Sequence, residues 1–357
     1  MARTQDYGLG EYTFPRGWFM VAAADELKDG KPLPLRFFGQ EFALYRGKSG
    51  KLVLLDAYCP HMGTHLARNT TSYTVLDGQI EGDSIRCPYH AWRFGADGKC
   101  DHIPYYDGAI PKAAAVRSWP VMETMGCIYV WYDEEGGAPY YEPPSFSEWH
   151  DPQWVQWKID HLGTINCHPQ EIIDNIADLT HLGPIHGSTV EYFENEFRGH
   201  VATQRQGGGH RTLVTTSGIL ETDTWYTGPG ILYSRVKGLY DAIMYIAHTP
   251  VEDGTIRGWH GLLVKSANKT ALEVDITAAR EYQEASRLAF LQDFEIWSNK
   301  RPCMQPLQLQ TDGPFHKARA WYKQFFNKRE RAAEFQKQSD GVYQVKGMPA
   351  QPNAANG

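Results

Sequence analysis

Two short loops constrain this chain more than any other feature. Cys59-Pro60-His61 and Cys87-Pro88-Tyr89-His90 each place a thiolate and an imidazole on one tight turn. Such loops suit a [2Fe–2S] cluster with both cysteines on one iron and both histidines on the other. Exchanging two thiolates for neutral imidazoles removes negative charge and raises the reduction potential. A structural zinc ion on the same four residues is the alternative. Zinc favours a cysteine pair followed by a histidine pair, whereas here the types alternate. His65, His102 and Cys100 lie close by but outside the motif, and read as ordinary residues.

The surroundings of these loops are strand-like. FALYR, GKSGK and LVLLDAY form a hairpin running into Cys59, and IEGDSIRCPYH and WRFGADGKC repeat the strand-and-turn pattern. A chain of 357 residues exceeds one ordinary core. The Pro- and acid-rich passage DEEGGAPYYEPPSFSEWHDPQW (133–154) reads as a linker. Beyond it, residues 197–265 alternate like strands, and 276–300 form a long helical run that stops before Pro302. The expected fold class is α+β. It comprises an all-β domain over 15–135, a second domain over 150–335 with an antiparallel sheet flanked by helices, and a polar, mobile tail over 336–357.

A second motif, DNIADLTHLGPIHG, occupies 174–187. At about 100° per residue, Asp174, Asp178 and His181 share one arc of a helix. Pro169 suits the first turn of that helix, and Glu171 its positive end. Gly183 and Pro184 are expected to end it, so that a following turn swings His186 back. Two imidazoles and one carboxylate make a facial triad for non-haem Fe(II), leaving coordination positions open for O2. Periodicity does not choose the carboxylate among Asp293, Glu295, Glu284 and Glu281, which all lie on the late helix. Phe290 and Trp297 share the helical face of Asp293 at −3 and +4, as pocket walls or as plain core.

The paired motifs resemble the terminal oxygenase of the Rieske non-haem iron oxygenases, whose signature acid-x3-Asp-x2-His-x4-His is matched by Asp174, Asp178, His181 and His186. Thr64 and Tyr89 stand where the respiratory type of Rieske protein carries an extra cysteine pair, so the resemblance is to the oxygenase type. It implies a cluster on Cys59, His61, Cys87 and His90, and a mononuclear Fe(II) on His181, His186 and Asp293, one of each per subunit. The segment LQDFEIW (291–297) is what selects Asp293. Asp178 is implied to bridge His181 to His90 of the partner subunit in a homotrimer. Asn175, about 100° around the helix from Asp174, reads as approaching the iron or as capping a hydrogen-bond network. DAYCPHMG, DGKCDHIPY, NCHPQEIIDNIADLTH, YFENEFRGHVATQ and DGPFHKARAWYKQFF are similar to the 3-ketosteroid 9α-hydroxylase branch, in family order. NTTSYTVLDGQ (69–79), between the two cluster loops, reads as an insertion.

The implied function is hydroxylation of an unactivated C–H of a bulky polycyclic apolar substrate, a 3-ketosteroid, using O2. Electrons come from a separate NADH-dependent flavin and 2Fe–2S reductase. Demethylation or desaturation of another substrate, and a non-catalytic redox or O2 sensor, are the alternatives; a bare electron carrier needs no second domain of this size. Aromatic content of 13% suits a large apolar pocket, and a net charge of −7 argues against a nucleic-acid surface. No apolar run approaches a membrane span and no secretory h-region opens the sequence. With six scattered cysteines, a reducing cytoplasmic setting is expected.

Overall fold

The computed structural model describes residues 2–215 and 218–348. They form two compact units: residues 19–142, and a second made of the segment before residue 19 together with the described chain after 142.

The first unit is a set of small sheets. One runs Leu33–Phe37, Gln40–Arg46, Leu52–Asp56 and Ser118–Trp119; another runs Ile80–Glu81, Ser84–Arg86, Arg93–Phe94 and Cys100–His102. A third contains Gly17–Ala23, Cys127–Tyr132 and Val121–Thr124. Alternation along the strands selects the core. Tyr45 lies opposite Val53 and Ala43 opposite Leu55, and all four pack with Leu66, Ile85 and Phe94. The unit runs past the expected boundary at 135. The Asp133 carboxylate accepts the Glu135 and Gly137 N–H groups at 3.0 and 3.1 Å, and Trp131 Nε1 donates to the Gly137 carbonyl at 2.9 Å. These bonds fold the start of the acid-rich passage back onto its strand. The 69–79 insertion forms a one-turn helix, α1 (Tyr73–Leu76), capped by Ser72, with Tyr73 and Leu76 exposed.

The second unit is dominated by a nine-stranded sheet. Tyr192–Arg198, Val201–Gly208, Leu220–Thr227, Ile231–Lys237, Asp241–Glu252 and Thr255–Lys265 pair in chain order, each antiparallel to the next. Trp154–Val155 and Asp160–Ile165 both add to Thr255–Lys265, and Gly341–Gln344 adds to Tyr192–Arg198 at the other side. Part of the expected tail is therefore structured, since helix and strand continue through 344; residues 349–357 lie outside the described residues.

Among the described residues, the α-helices of this unit are α2 (Pro169–Asn175), α3 (Leu182–His186), α4 (Glu273–Ser298), α5 (Phe315–Lys323) and α6 (Ala332–Ser339). Trp321 and Tyr322 of α5, with Phe325 and Phe326 after it, pack on Ile173 of α2 and on Phe197, Ala202 and Tyr226 of the sheet. Each fully buried ring contributes on the order of 2–3 kcal/mol, so α5 clamps α2 against the sheet. The N-terminal segment adds to the clamp, with Tyr7 stacked on His168 at 4.7 Å and its hydroxyl donating to Glu171 at 2.5 Å. No described helix is long and apolar enough to cross a membrane.

The predicted helix through His181 is not what forms. α2 ends at Asn175, and the next N–H groups reach back three residues, Ala177 to Asp174 at 3.0 Å and Asp178 to Asn175 at 3.1 Å. The cause is tertiary. Buried Asn195, on the strand Tyr192–Arg198, donates to the Ile176 carbonyl at 2.8 Å, removing it from the helical ladder. Gly313 passes so close that a Cβ there would meet the Ala177 carbonyl oxygen at 1.5 Å. Gly183 and Pro184 do not stop a helix either; they lie inside α3. Pro184 is tolerated because the first N–H groups of a helix have no intrahelical acceptor. Gly187, at φ +63, ends α3 instead.

Candidate metal centres and active-site cavity

The loops at Cys59 and Cys87 close in the same way. The Cys59 N–H donates to the Thr64 carbonyl at 2.9 Å and the Gly63 N–H to the Cys59 carbonyl at 2.9 Å. The Cys87 N–H donates to Trp92 at 2.7 Å and the Ala91 N–H to Cys87 at 3.0 Å. Both reversals need a left-handed residue four positions after the cysteine, Gly63 at φ +71 and Ala91 at φ +56. The two thiols are buried in the core of the unit, whereas His61 is exposed and His90 half-buried. The imidazoles lie 4.6 Å apart by ring centroid, and Trp92 stacks on His61 at 4.5 Å. A hydrogen bond between the thiols holds Cys87 below and Cys59 above the usual cysteine range.

This donor set fits a two-iron cluster better than a single ion. Among the described residues, the group with three donor atoms within 4.8 Å of one another is His181, His186 and Asp293; the four loop residues do not form one. A zinc ion needs all four donors around one centre, whereas a cluster divides them into a thiolate pair inside and an imidazole pair at the surface.

The second group draws on three elements. His181 precedes α3, His186 ends it, and Asp293 lies on the buried face of α4. His186 Nε2 is 3.4 Å from Asp293 Oδ2. Each imidazole has its Nδ1 occupied by an oxygen acceptor. For His181 it is the Asp178 main-chain carbonyl at 2.6 Å; for His186 it is Gln292 Oε1 at 3.0 Å. An oxygen acceptor requires Nδ1 to carry the proton, which leaves each Nε2 lone pair for a metal. Burial disfavours the His186 imidazolium, but Asp293 and Gln292 outweigh it and hold the group above the usual histidine range. The residues thus fit a facial site of two imidazoles and a carboxylate.

Other expected residues are placed as follows. The Asp178 carboxylate does not sit on a helix. Its Oδ1 accepts from Thr180 N, Thr180 Oγ1 and His181 N at 3.0, 3.0 and 3.2 Å, pinning the turn that aims His181. Its Oδ2 stands 3.8 Å from His181 Nδ1. Asn175 Nδ2 is 3.1 Å from His181 Nε2, beside the position an ion takes. Asp174 is turned away, held by Arg319 through two bonds, at 3.0 and 2.5 Å, and by Gln170 at 2.8 Å. Glu281, Glu284 and Glu295 face solvent. Gln292 and Arg319 were not anticipated. Gln292 directly precedes Asp293, and that adjacency was the available signal.

An open-mouthed cavity adjoins the triad, with about 1180 Å³ of empty space when the solvent at its mouth is included. One wall is α4, presenting Tyr282, Ser286, Phe290, Asp293 and Trp297 at helical spacing. The floor is the inner face of the sheet at every second residue, as with Thr222, Thr224 and Tyr226, or Leu232, Ser234 and Val236. Phe290 and Trp297 both line the cavity, and each also packs on Phe294, so the wall and core readings hold together.

Residues 17–120 match the Rieske [2Fe–2S] domain, and residues 130–326 match the 3-ketosteroid 9α-hydroxylase C-terminal domain. The chain belongs to the Rieske oxygenase family. This Rieske oxygenase is 33% identical over 341 residues to the oxygenase component of a 3-ketosteroid-9-alpha-monooxygenase from Rhodococcus rhodochrous, covering 91% of this chain and 87% of that one. It is 29% identical over 340 residues to a cholesterol 7-desaturase from Ciona intestinalis, covering 88% and 69%. In fold it is similar to dicamba monooxygenase with non-heme iron and dicamba, with a TM-score of 0.60 and 19% identity over 89% of this chain and 98% of that one. A Rieske [2Fe–2S] cluster and a mononuclear non-haem iron are the cofactors of such an oxygenase.

Proposed function

We propose that this Rieske oxygenase hydroxylates a 3-ketosteroid, as a homotrimer supplied by a separate NADH-dependent flavin and 2Fe–2S reductase. The observation that carries the reading is the placement of His181, His186 and Asp293 at the wall of an open, mainly apolar cavity. The name of the Rhodococcus relative supports the substrate class. Cys59, His61, Cys87 and His90 hold the cluster, and His181, His186 and Asp293 the iron. When bound, the cluster delivers electrons and the iron offers open positions to O2.

The chain's own side chains do the rest. Phe290 and Trp297 bury apolar substrate surface and exclude water, and few polar groups then orient it. Gln292 and the Asp178 carbonyl keep both Nδ1 protons in place. The Asp178 carboxylate, about a quarter exposed, remains available to His90 of the partner subunit. Asn175 stands beside His181 at the cavity wall.

The test is turnover of androst-4-ene-3,17-dione by the loaded protein with a competent reductase and NADH. The expected product gains one oxygen atom. Failure across a panel of ketosteroids, with other polycyclic substrates still oxidised, removes the steroid assignment alone. The Ciona relative favours desaturation as the second reading, which a product lacking two hydrogens would identify.

A further inference from the structure

One row of side chains crosses the cavity floor from strand to strand. Asn195, Gln204, Thr224, Ser234, Met244 and Leu262 are successive register partners, and all but Asn195 line the cavity. The row changes character along its length. At one end Asn195 holds the Ile176 carbonyl just past α2, and Gln204, Thr224 and Ser234 follow it. At the other end Met244, whose Sδ meets Ser286 Oγ of α4 at 3.6 Å, and Leu262 are apolar. Adjacent strands lie about 4.8 Å apart, so Gln204 and Met244 are separated by roughly 14 Å of floor.

The three polar residues of the row are not equivalent. Thr224 Oγ1 and Ser234 Oγ are 2.7 Å apart, so the two hydroxyls serve each other, as cross-strand pairs in a sheet commonly do. Gln204 has no such counterpart. It is 6% exposed, yet among the described residues nothing hydrogen-bonds its side-chain amide. That amide carries two N–H donors and a carbonyl acceptor, and none of them is committed. Buried amides are ordinarily paired, because an unpaired one forfeits the hydration it had in the unfolded chain. With no protein partner, this one is served by whatever enters the cavity.

Charge narrows what that ligand can be. Among the described residues, no lysine or arginine lines the cavity, so a carboxylate taken into it lacks a permanent counter-ion. A neutral carbonyl oxygen meets no such obstacle. It accepts from Gln204 Nε2–H, a proton that no other acceptor claims, while the hydrocarbon attached to it lies along Met244, Leu262 and Phe290.

We propose that Gln204 donates a hydrogen bond to a ketone oxygen of the substrate and so fixes one end of the polycycle on the α2 side of the floor, with its hydrocarbon towards α4. Gln204 is thereby a specificity residue, and the class it selects is a neutral polycyclic ketone. The assignment rests on the ketosteroid reading above.

The test is equilibrium binding to the loaded full chain, read by the fluorescence of tryptophans including cavity-lining Trp297. The ligands are androst-4-ene-3,17-dione and its two single-ketone analogues, androst-4-en-3-one and androst-4-en-17-one. The unaltered protein is expected to bind the diketone about 3- to 10-fold more tightly than the analogue lacking the anchored ketone, the worth of one neutral hydrogen bond. In Gln204→Met, of similar length but without a donor, that preference should vanish, while the analogue lacking the anchored ketone binds as before. Three results overturn the assignment and leave the ketosteroid reading intact: the unaltered protein binds all three ligands alike, Gln204→Met keeps the original preference, or it weakens all three equally. The first of these is read without any variant, so it stands even if Gln204→Met fails to fold. If the unaltered protein binds none of the ligands, the ketosteroid reading fails as well.

Discussion

The loops at Cys59 and Cys87 repeat one another atom for atom in their main-chain closure, and each is complete within about six residues. The His181–His186–Asp293 group has no such repeat. Its donors come from a turn, the end of a one-turn helix and the last third of a long one, and the two imidazoles are aimed by different partners. A local site tolerates change elsewhere in its unit. A site assembled from distant segments is only as good as the packing that brings them together.

The largest effect that can break this comparison is selective metal loss. Asp293→Ala should lose the mononuclear iron while the visible absorption and acid-labile sulfide of the cluster stay at wild-type levels. Cys87→Ser should do the reverse, and both should reduce turnover to background. Iron and sulfide counts on the purified variants check this; loss of both centres from either single change would show that the two sites are not independent.

Arg319→Met is expected to come next, costing about 3–5 kcal/mol by leaving buried Asp174 without its partner. The denaturation midpoint should fall, and mononuclear iron occupancy with it, although neither residue touches the ion. Adding Asp174→Leu should recover most of the loss. If Arg319→Met melts like wild type, α2 is not held by this pair.

Acid should separate the units further. Burial holds His168 and His248, both in the second unit, neutral in the fold, each pushed down to about 3. Their folded pKa lies below the unfolded value of about 6.5, so the unfolded chain gains a proton first as pH falls. The stability they support is full above about pH 6.5 and declines towards pH 3, by roughly 1.4 kcal/mol per pH unit for each. His168→Asn should flatten that slope by one histidine's share. Melting temperatures at pH 7.5 and 5.5 give the answer, and an unchanged slope would rule out His168 as a contributor.

The smallest effect compares the loops directly. Gly63→Ala should cost about 1 kcal/mol for a left-handed side chain, and Ala91→Gly should gain up to about as much at the equivalent turn. Opposite signs in denaturation midpoints would support equivalence of the loops; the same sign would refute it.

Legibility in the sequence followed the same division. The two Cys-His loops were readable because each closes on itself within the residues that make it. The imidazole pair and the strand-rich 197–265 region were readable from motif and alternation. Asp293 was not separable from Glu281, Glu284 and Glu295 by periodicity, because a helix face becomes a wall only when something packs against it. Asp174 and Asp178 were read as neighbours on one helix, and they serve unrelated purposes: one is locked to Arg319, the other pins a turn.

By itself, then, the order of residues determined which side chains could bind iron, because thiolates, imidazoles and carboxylates are chosen by their chemistry. Tertiary structure alone decided where α2 stops. No residue at 175–177 signals an end to a helix; Asn195 takes the carbonyl of Ile176 and Gly313 crowds that of Ala177, from segments about 20 and 135 residues away. A buried carbonyl takes whichever donor the fold brings to it, and through that choice the turn at Asp178 turned His181 towards Asp293.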